Sequence, residues 1–155
     1  MRFVINKRLL LLFIALALGV IACFSPAQRL ELSQSGDCPQ TKEDQRIFAE
    51  GYFSIDPKKG VATESGYEGN HPYSRFSFSA EPNSRSKFEA AVVRANEGSN
   101  GSDRANRTEP VKNGDQIAWH IYDDQRREIS FNDKVRITGI IIRDCVVKVE
   151  KIEKL

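Results

Sequence analysis

The residues of this 155-residue chain that could do chemistry are few: two histidines, an Asp-Asp pair and three cysteines. His71 lies in the stretch Gly69-Asn70-His71-Pro72-Tyr73 with Glu68 nearby, and His120 is followed by Asp123 and Asp124. A zinc site would need a second His or a Cys at ligand spacing from one of them, and neither histidine has one. Nor does any nucleophile elbow or comparable signature accompany them. The sequence therefore assigns no catalytic residue, no metal site and no cofactor, and both histidines read as surface or interface residues. Asp123 and Asp124 could ligate calcium, but the Asp, Asn and Gly spacing of a loop site is missing, so they read as a solvated strand end.

The third cysteine belongs to a different chemistry. Arg2, Lys7 and Arg8 form a basic start, and residues 9–22 are an unbroken apolar run of roughly 14 residues, the length of a signal h-region. A helix of that length rises only about 21 Å, short of the roughly 20 apolar residues that a bilayer crossing needs. The run ends in Val20-Ile21-Ala22-Cys23, which resembles the lipobox of bacterial lipoproteins. That resemblance implies a diacylglyceryl thioether on Cys23, cleavage before it, acylation of the new amino group with a chain such as palmitate, and partnership with membrane lipid on the extracytoplasmic side. Cleavage after Ala27, at Ser25-Pro26-Ala27, and an uncleaved signal anchor are the alternatives. In the enterobacterial pattern an Asp after the lipidated residue favours retention in the inner membrane; Phe24 leaves cell membrane and outer membrane both open.

Removing the leader changes the charge. Of 23 Lys and Arg, three lie in the first 22 residues, which hold no acid, so the remainder carries 20 cations against 21 acids, a net charge of about −1. A nucleic-acid partner, which needs a clustered positive surface, is not expected. The apolar fraction of residues 23–155 is roughly a third, which predicts one domain with a small core. Cys38 and Cys145 are then an even pair in an exported protein, expected to bridge. Such a bridge closes a loop of about 107 residues and contributes roughly 4 to 5 kcal/mol on the chain-entropy account. Two unpaired thiols are the alternative.

The elements follow from periodicity. Residues 1–22 are signal, 23–40 a polar, flexible tether, and 41–155 a β-rich globular domain. Thr41 and Asp44 loosely cap a short helix over 41–49, while residues 46–55 read equally as a first strand. Phe76 and Phe78 alternate with polar neighbours, and Phe88, Ala90 and Val92 share a face, giving a hairpin across 81–84. Residues 97–116 read as a loop of about 20 residues, functional or disordered. Its two triplets, Asn100-Gly101-Ser102 and Asn106-Arg107-Thr108, match the N-glycosylation pattern, which the bacterial signal argues against. Ile117, Trp119 and Ile121 alternate; residues 126–131 are a short strand or connector.

The strongest signal is residues 133–153, where Val135, Ile137, Gly139 and Ile141 alternate, then Val147 and Val149, then Ile152. This D-x-V-x-I-x-G strand followed by V-x-V-x-x-I resembles the closing strands of OB-fold barrels, with the glycine permitting a sharp bend. The fold class expected is mainly β: a small OB-like barrel of five or six strands, or a β-sandwich, since the helix expected between third and fourth strands has no matching sequence. On such a barrel Trp119 and Tyr122, with Phe76 and Phe78, could line a stacking groove beside Arg75, Arg94 and Arg136. The bland reading makes Trp119, Phe76 and Phe78 core. Candidate ligand-binding residues are Trp119, Tyr122, His120 and Arg136, for an envelope protein or small ligand. The function expected is a lipid-anchored, non-catalytic envelope protein; the rivals are an exported enzyme acting on cell-wall or carbohydrate material and an OB-type ligand binder.

Overall fold

The computed structural model describes residues 26–32, 37–56, 60–64, 72–82, 84, 86–95, 105–114, 116–143 and 145–155. Cys23 and His71 lie outside them, as does the first glycosylation triplet. The described residues form ten strands: β1 Gln28–Arg29, β2 Arg46–Ser54, β3 Ala62–Glu64, β4 Tyr73–Ser79, β5 Glu89–Val93, β6 Thr108–Asn113, β7 Gln116–Tyr122, β8 Glu128–Ile129, β9 Val135–Arg143 and β10 Val146–Lys154. No helix occurs among the described residues.

Five strands close on themselves. The ladder runs β2-β9-β10-β5-β4, and β4 returns to β2 through Tyr52↔Ser79, Phe53↔Phe78 and Ser54↔Ser77. All these pairings are antiparallel except β5 with β10. This is the Greek-key order of an OB-like barrel. A single closed sheet, rather than two packed ones, sets aside the sandwich alternative.

The expected helix over 41–49 is not formed. Lys42 and Gln45 close one turn, Asp44 takes a φ of 61°, and β2 begins at Arg46. The period-two set Ile47, Ala49, Gly51 and Phe53, buried throughout, outweighs a loosely matched cap.

Closure requires β2 to change partners. It pairs with β9 over Arg46 to Gly51 and with β4 from Tyr52 onward, so the strand bends at Gly51. A methyl group at Gly51 would strike the Ser79 carbonyl oxygen and come within 3.0 Å of the Phe78 ring. The bend leaves one edge of the first half of β2 uncovered, and β1 fills it in parallel, Gln28 opposite Ile47 and Arg29 opposite Phe48. Within the stretch expected as a tether, residues 28–30 are thus laid along the barrel, and Leu32 packs against its core. Gly139 is the second close approach, facing the Lys148 carbonyl across the β9–β10 ladder. The register shifts between Val149 and Lys151, so Glu150 is the extra residue, and this bulge explains the three-residue step from Val149 to Ile152.

Between β5 and β9, where OB folds carry a helix for which this sequence offers no match, the chain forms a separate meander, β6-β7-β8. The expected 97–116 loop is correspondingly shorter, because Thr108–Asn113 pairs with β7 over its whole length. The meander plugs one end of the barrel. Ile121 and Ile129 enter the core and Trp119 and Phe131 pack on it. Ala95 donates to the Thr108 carbonyl, and Asn106 Oδ1 accepts the Ile152 N–H at 2.6 Å. Asn106, at a φ of 55° that asparagine tolerates, is therefore a docking residue. The core it closes is built on four phenylalanines, Phe53, Phe76, Phe78 and Phe88; the Phe53 ring meets Phe78 edge-on at 5.2 Å.

At the opposite end Cys38 bridges Cys145, with Cα atoms 5.4 Å apart. The bond ties the segment before β2 to the β9–β10 turn. Asp37 adds an ion pair with Lys87 at 3.1 Å, beside the start of β5.

Two outcomes follow for stability in urea. Gly51→Ala lowers it by about 2 kcal/mol, the cost of forcing a side chain into a packed site. Replacing both Cys38 and Cys145 by Ser removes on the order of 4 kcal/mol, and dithiothreitol reproduces that loss in the parent protein.

Candidate functional site

The strand register divides the expected binding residues among three places. Along β7, Trp119 and Ile121 turn to the barrel end, Ala118, His120 and Tyr122 alternate onto the other face, where Tyr122 is nonetheless buried, and Ile117 stands exposed near the start of the strand. The Trp119 ring stands edge-on to Phe76 at 5.8 Å, and the Arg94 guanidinium lies 5.9 Å from its centroid. Phe76 and Phe78 have no exposure. Trp119, Phe76 and Phe78 are thus packing residues of the plugged end, and no open aromatic groove joins them.

The outer face of the meander gathers polar groups instead. His120 Nδ1 is 2.7 Å from Glu128 Oε1, and the Tyr122 hydroxyl donates to Glu109 Oε1 at 2.7 Å. Both contacts are diagonal, since Glu109 is registered opposite His120 and Glu128 opposite Tyr122. His120 therefore has carboxylate company, but from Glu128 rather than from the neighbouring aspartates. Asp123, expected as a solvated strand end, is fully buried. Its carboxylate accepts the N–H groups of Gln125 and Arg127 and the Arg127 Nε–H, at 2.7–2.9 Å, which holds the β7–β8 turn. Asp124 docks through its own N–H to the Ile152 carbonyl and through its side chain to Lys151. Among the described residues no group of three or more His, Cys, Asp or Glu is placed to hold a metal ion.

Arg136 lies on the β2–β9 wall. Its Nη2 reaches Glu50 Oε1 at 2.6 Å and its guanidinium sits 5.5 Å from the Phe48 ring centroid. These contacts tie it to β2 rather than to the meander that carries Trp119, His120 and Tyr122.

A further wall went unread in the sequence. β4, β5 and β10 are adjacent, and their outward residues include Tyr73, Arg75 and Ser77, then Glu89, Ala91 and Val93, then Lys148. The Lys148 ammonium lies 5.8 Å from the Tyr73 ring, and Arg75 Nη1 is 2.8 Å from Glu89 Oε2. Beneath them Ala91 and Val93 are almost fully covered. A ring, two cations and a carboxylate over an apolar floor can stack a planar or sugar face and pair with an anionic group. This corresponds to the strand pair on which OB folds bind oligonucleotides and oligosaccharides. The signal was faint: Tyr73 precedes the Phe76 alternation, and Lys148 is one polar residue inside a valine strand.

At the disulfide end an open cleft of about 870 Å³ is lined by Gln28, Cys38, Pro39, Gln40, Thr41, Lys42 and Gln45. Two of its amides are paired, Gln45 donating to Gln28 Oε1 at 2.8 Å.

Comparison of the chain with protein-family models, curated proteins and solved structures finds no match.

Two surface carboxylates are held acidic. Glu50 is lowered from its ordinary value, first by the Arg136 hydrogen bond and then by the charges of Arg136 and Lys134. Asp133 is lowered by the Lys154 ammonium and the Ser130 N–H. A carboxylate with a depressed folded pKa stabilises the fold above its unfolded value and loses that contribution as pH falls through the folded one. The urea midpoint should therefore drop on acidification below about pH 4. Glu50→Gln should start lower and drop less over the same range.

Proposed function

We propose that the protein is a lipid-anchored component of a bacterial cell envelope, held through acylated Cys23, whose OB-like barrel serves as a non-catalytic binding module outside the cytoplasm. The observation that carries this reading is the Cys38–Cys145 bridge placed after a lipobox. A disulfide joining both ends of a small domain suits an oxidising compartment, which is where the signal would deliver it. The β4-β5-β10 wall is the binding face this reading favours, because Tyr73, Arg75 and Lys148 form a shallow recognition surface with no reactive group among them. Its ligand would present a sugar or ring face and a negative charge, as envelope glycans do.

Intact mass spectrometry of the membrane-extracted protein tests the anchor. The expected species begins at Cys23 and carries a diacylglyceryl group; globomycin should block its maturation, and Cys23→Ala should release the exported domain from membranes. A mature protein beginning at Gln28, or a freely soluble one, overturns the reading.

One observation favours a second reading, an exported enzyme acting on cell-wall or carbohydrate material. His120 is oriented by Glu128 and lies beside the Tyr122–Glu109 pair, an arrangement that general acid-base chemistry uses. Loss of a measured hydrolytic activity in His120→Ala at unchanged melting temperature would move the conclusion to it.

A further inference from the structure

We infer that the bilayer meets the disulfide end of the barrel, and that the meander end points away from it. This deepens the lipoprotein reading and rests on it. A lipidated Cys23 fixes its Cα at the level of the lipid headgroups, because the acyl chains enter the membrane beside it. Among the described residues the first paired into the barrel is Gln28, opposite Ile47. Only Phe24, Ser25, Pro26 and Ala27 stand between them. Five residue steps reach at most about 18 Å. The link from the anchor to the barrel is then four residues, a small part of the tether expected over 23–40.

Direction follows from strand polarity. β1 runs parallel to β2, so the chain upstream of Gln28 leaves the barrel at the start of β2. The same end carries the Lys42–Gln45 turn, the Cys38–Cys145 bond and the start of β5, whose Glu89 N–H donates to the Cys145 carbonyl at 2.7 Å. Gln28 itself lines the cleft there, with Gln40, Thr41 and Gln45. The meander is docked at the far end, on Ile152 near the close of β10. Nine-residue strands such as β2 and β10 span about 30 Å, so the far end lies beyond the reach of the short link when the barrel stands on its anchor.

Charge does not compete with this placement. Exposed Lys42, Lys87 and Arg143 and half-buried Arg46 at that end are interspersed with Glu43, Asp44, Asp37 and Glu150, and Arg46 pairs with Glu150 at 3.0 Å. A surface of mixed sign, fronted by neutral amides, neither repels nor requires anionic lipid. The partner of this face is a phospholipid headgroup layer of any net charge, and the face is held to it by chain length. Tyr73, Arg75 and Lys148 then flank the barrel side, and His120 with Glu128 faces the envelope interior.

The test uses full-length, acylated protein with its native disulfide closed, carrying one environment-sensitive fluorophore at Lys42→Cys or at Ile117→Cys. Each is reconstituted into phosphatidylcholine vesicles containing a lipid with a nitroxide on its headgroup. The label at position 42 should lose more than half of its emission while the label at 117, on the meander, keeps nearly all of its own. Adding 0.5 M salt, which shortens the screening length to about 4 Å, should change neither. Inserting a Gly-Ser spacer of about 20 residues, a coil of roughly 25 Å, between Phe24 and Ser25 should abolish the difference. Equal quenching at the two positions in protein whose mass shows the acyl chains overturns the orientation and leaves the anchor standing. A mass without acyl chains overturns both.

Discussion

The parallel pairing of β5 with β10 is the constraint on which the remaining architecture depends. Only three residue pairs make it, Val146↔Glu89, Val147↔Ala90 and Lys148↔Ala91. Without it the sheet would end in two long unpaired edges. With it, every inward face of the five strands is turned onto the same four phenylalanines. Parallel neighbours cannot be joined by a tight turn and need a long crossover, usually a helix. Here the crossover is itself β structure, and it serves the same end by covering the open mouth of the barrel with Ile121, Ile129, Trp119 and Phe131. The disulfide reinforces this seam from the other side, since Cys145 is the residue that turns β9 into β10 and also accepts the Glu89 N–H.

Strands that bury one face announced themselves in the sequence. β2, β4, β5, β9 and β10 all carry apolar residues at period two, and these five are the barrel. Gly139 and the irregular step before Ile152 were legible for the same reason: a bend and a bulge interrupt an otherwise strict alternation. Elements stabilised by pairing alone were silent. β6 reads Thr-Glu-Pro-Val-Lys-Asn and β1 reads Gln-Arg, and neither buries an apolar side chain in the core, so nothing in their composition distinguishes them from coil.

The surface was less legible than the fold because it depends on which strands become neighbours. Counting cysteines was enough to pair Cys38 with Cys145. Grouping Arg136 with Trp119 was not supported by any local pattern: Arg136 lies on the β2–β9 wall, and Trp119 belongs to the meander that plugs the barrel end. Tyr73 and Lys148 lie far apart in the chain and meet only across the β5 strand between them. His120 has aspartates close in sequence, yet its partner is Glu128, because β8 folds back along β7; the nearer Asp123 is drawn inside to organise the turn.

The meander exposes one outer strand, β6, whose backbone is a template for the strand of another molecule. Its register shows which residues face outward. Arg107 accepts the Tyr122 N–H, so the amides of residues 108, 110 and 112 point away from β7, and the outward Thr108 carbonyl already accepts the Ala95 N–H. Position 110, midway along that rim, is proline, which has no N–H to offer. A second copy of the chain that meets this rim finds no donor at its centre, which blunts edge-to-edge pairing between molecules at high local concentration.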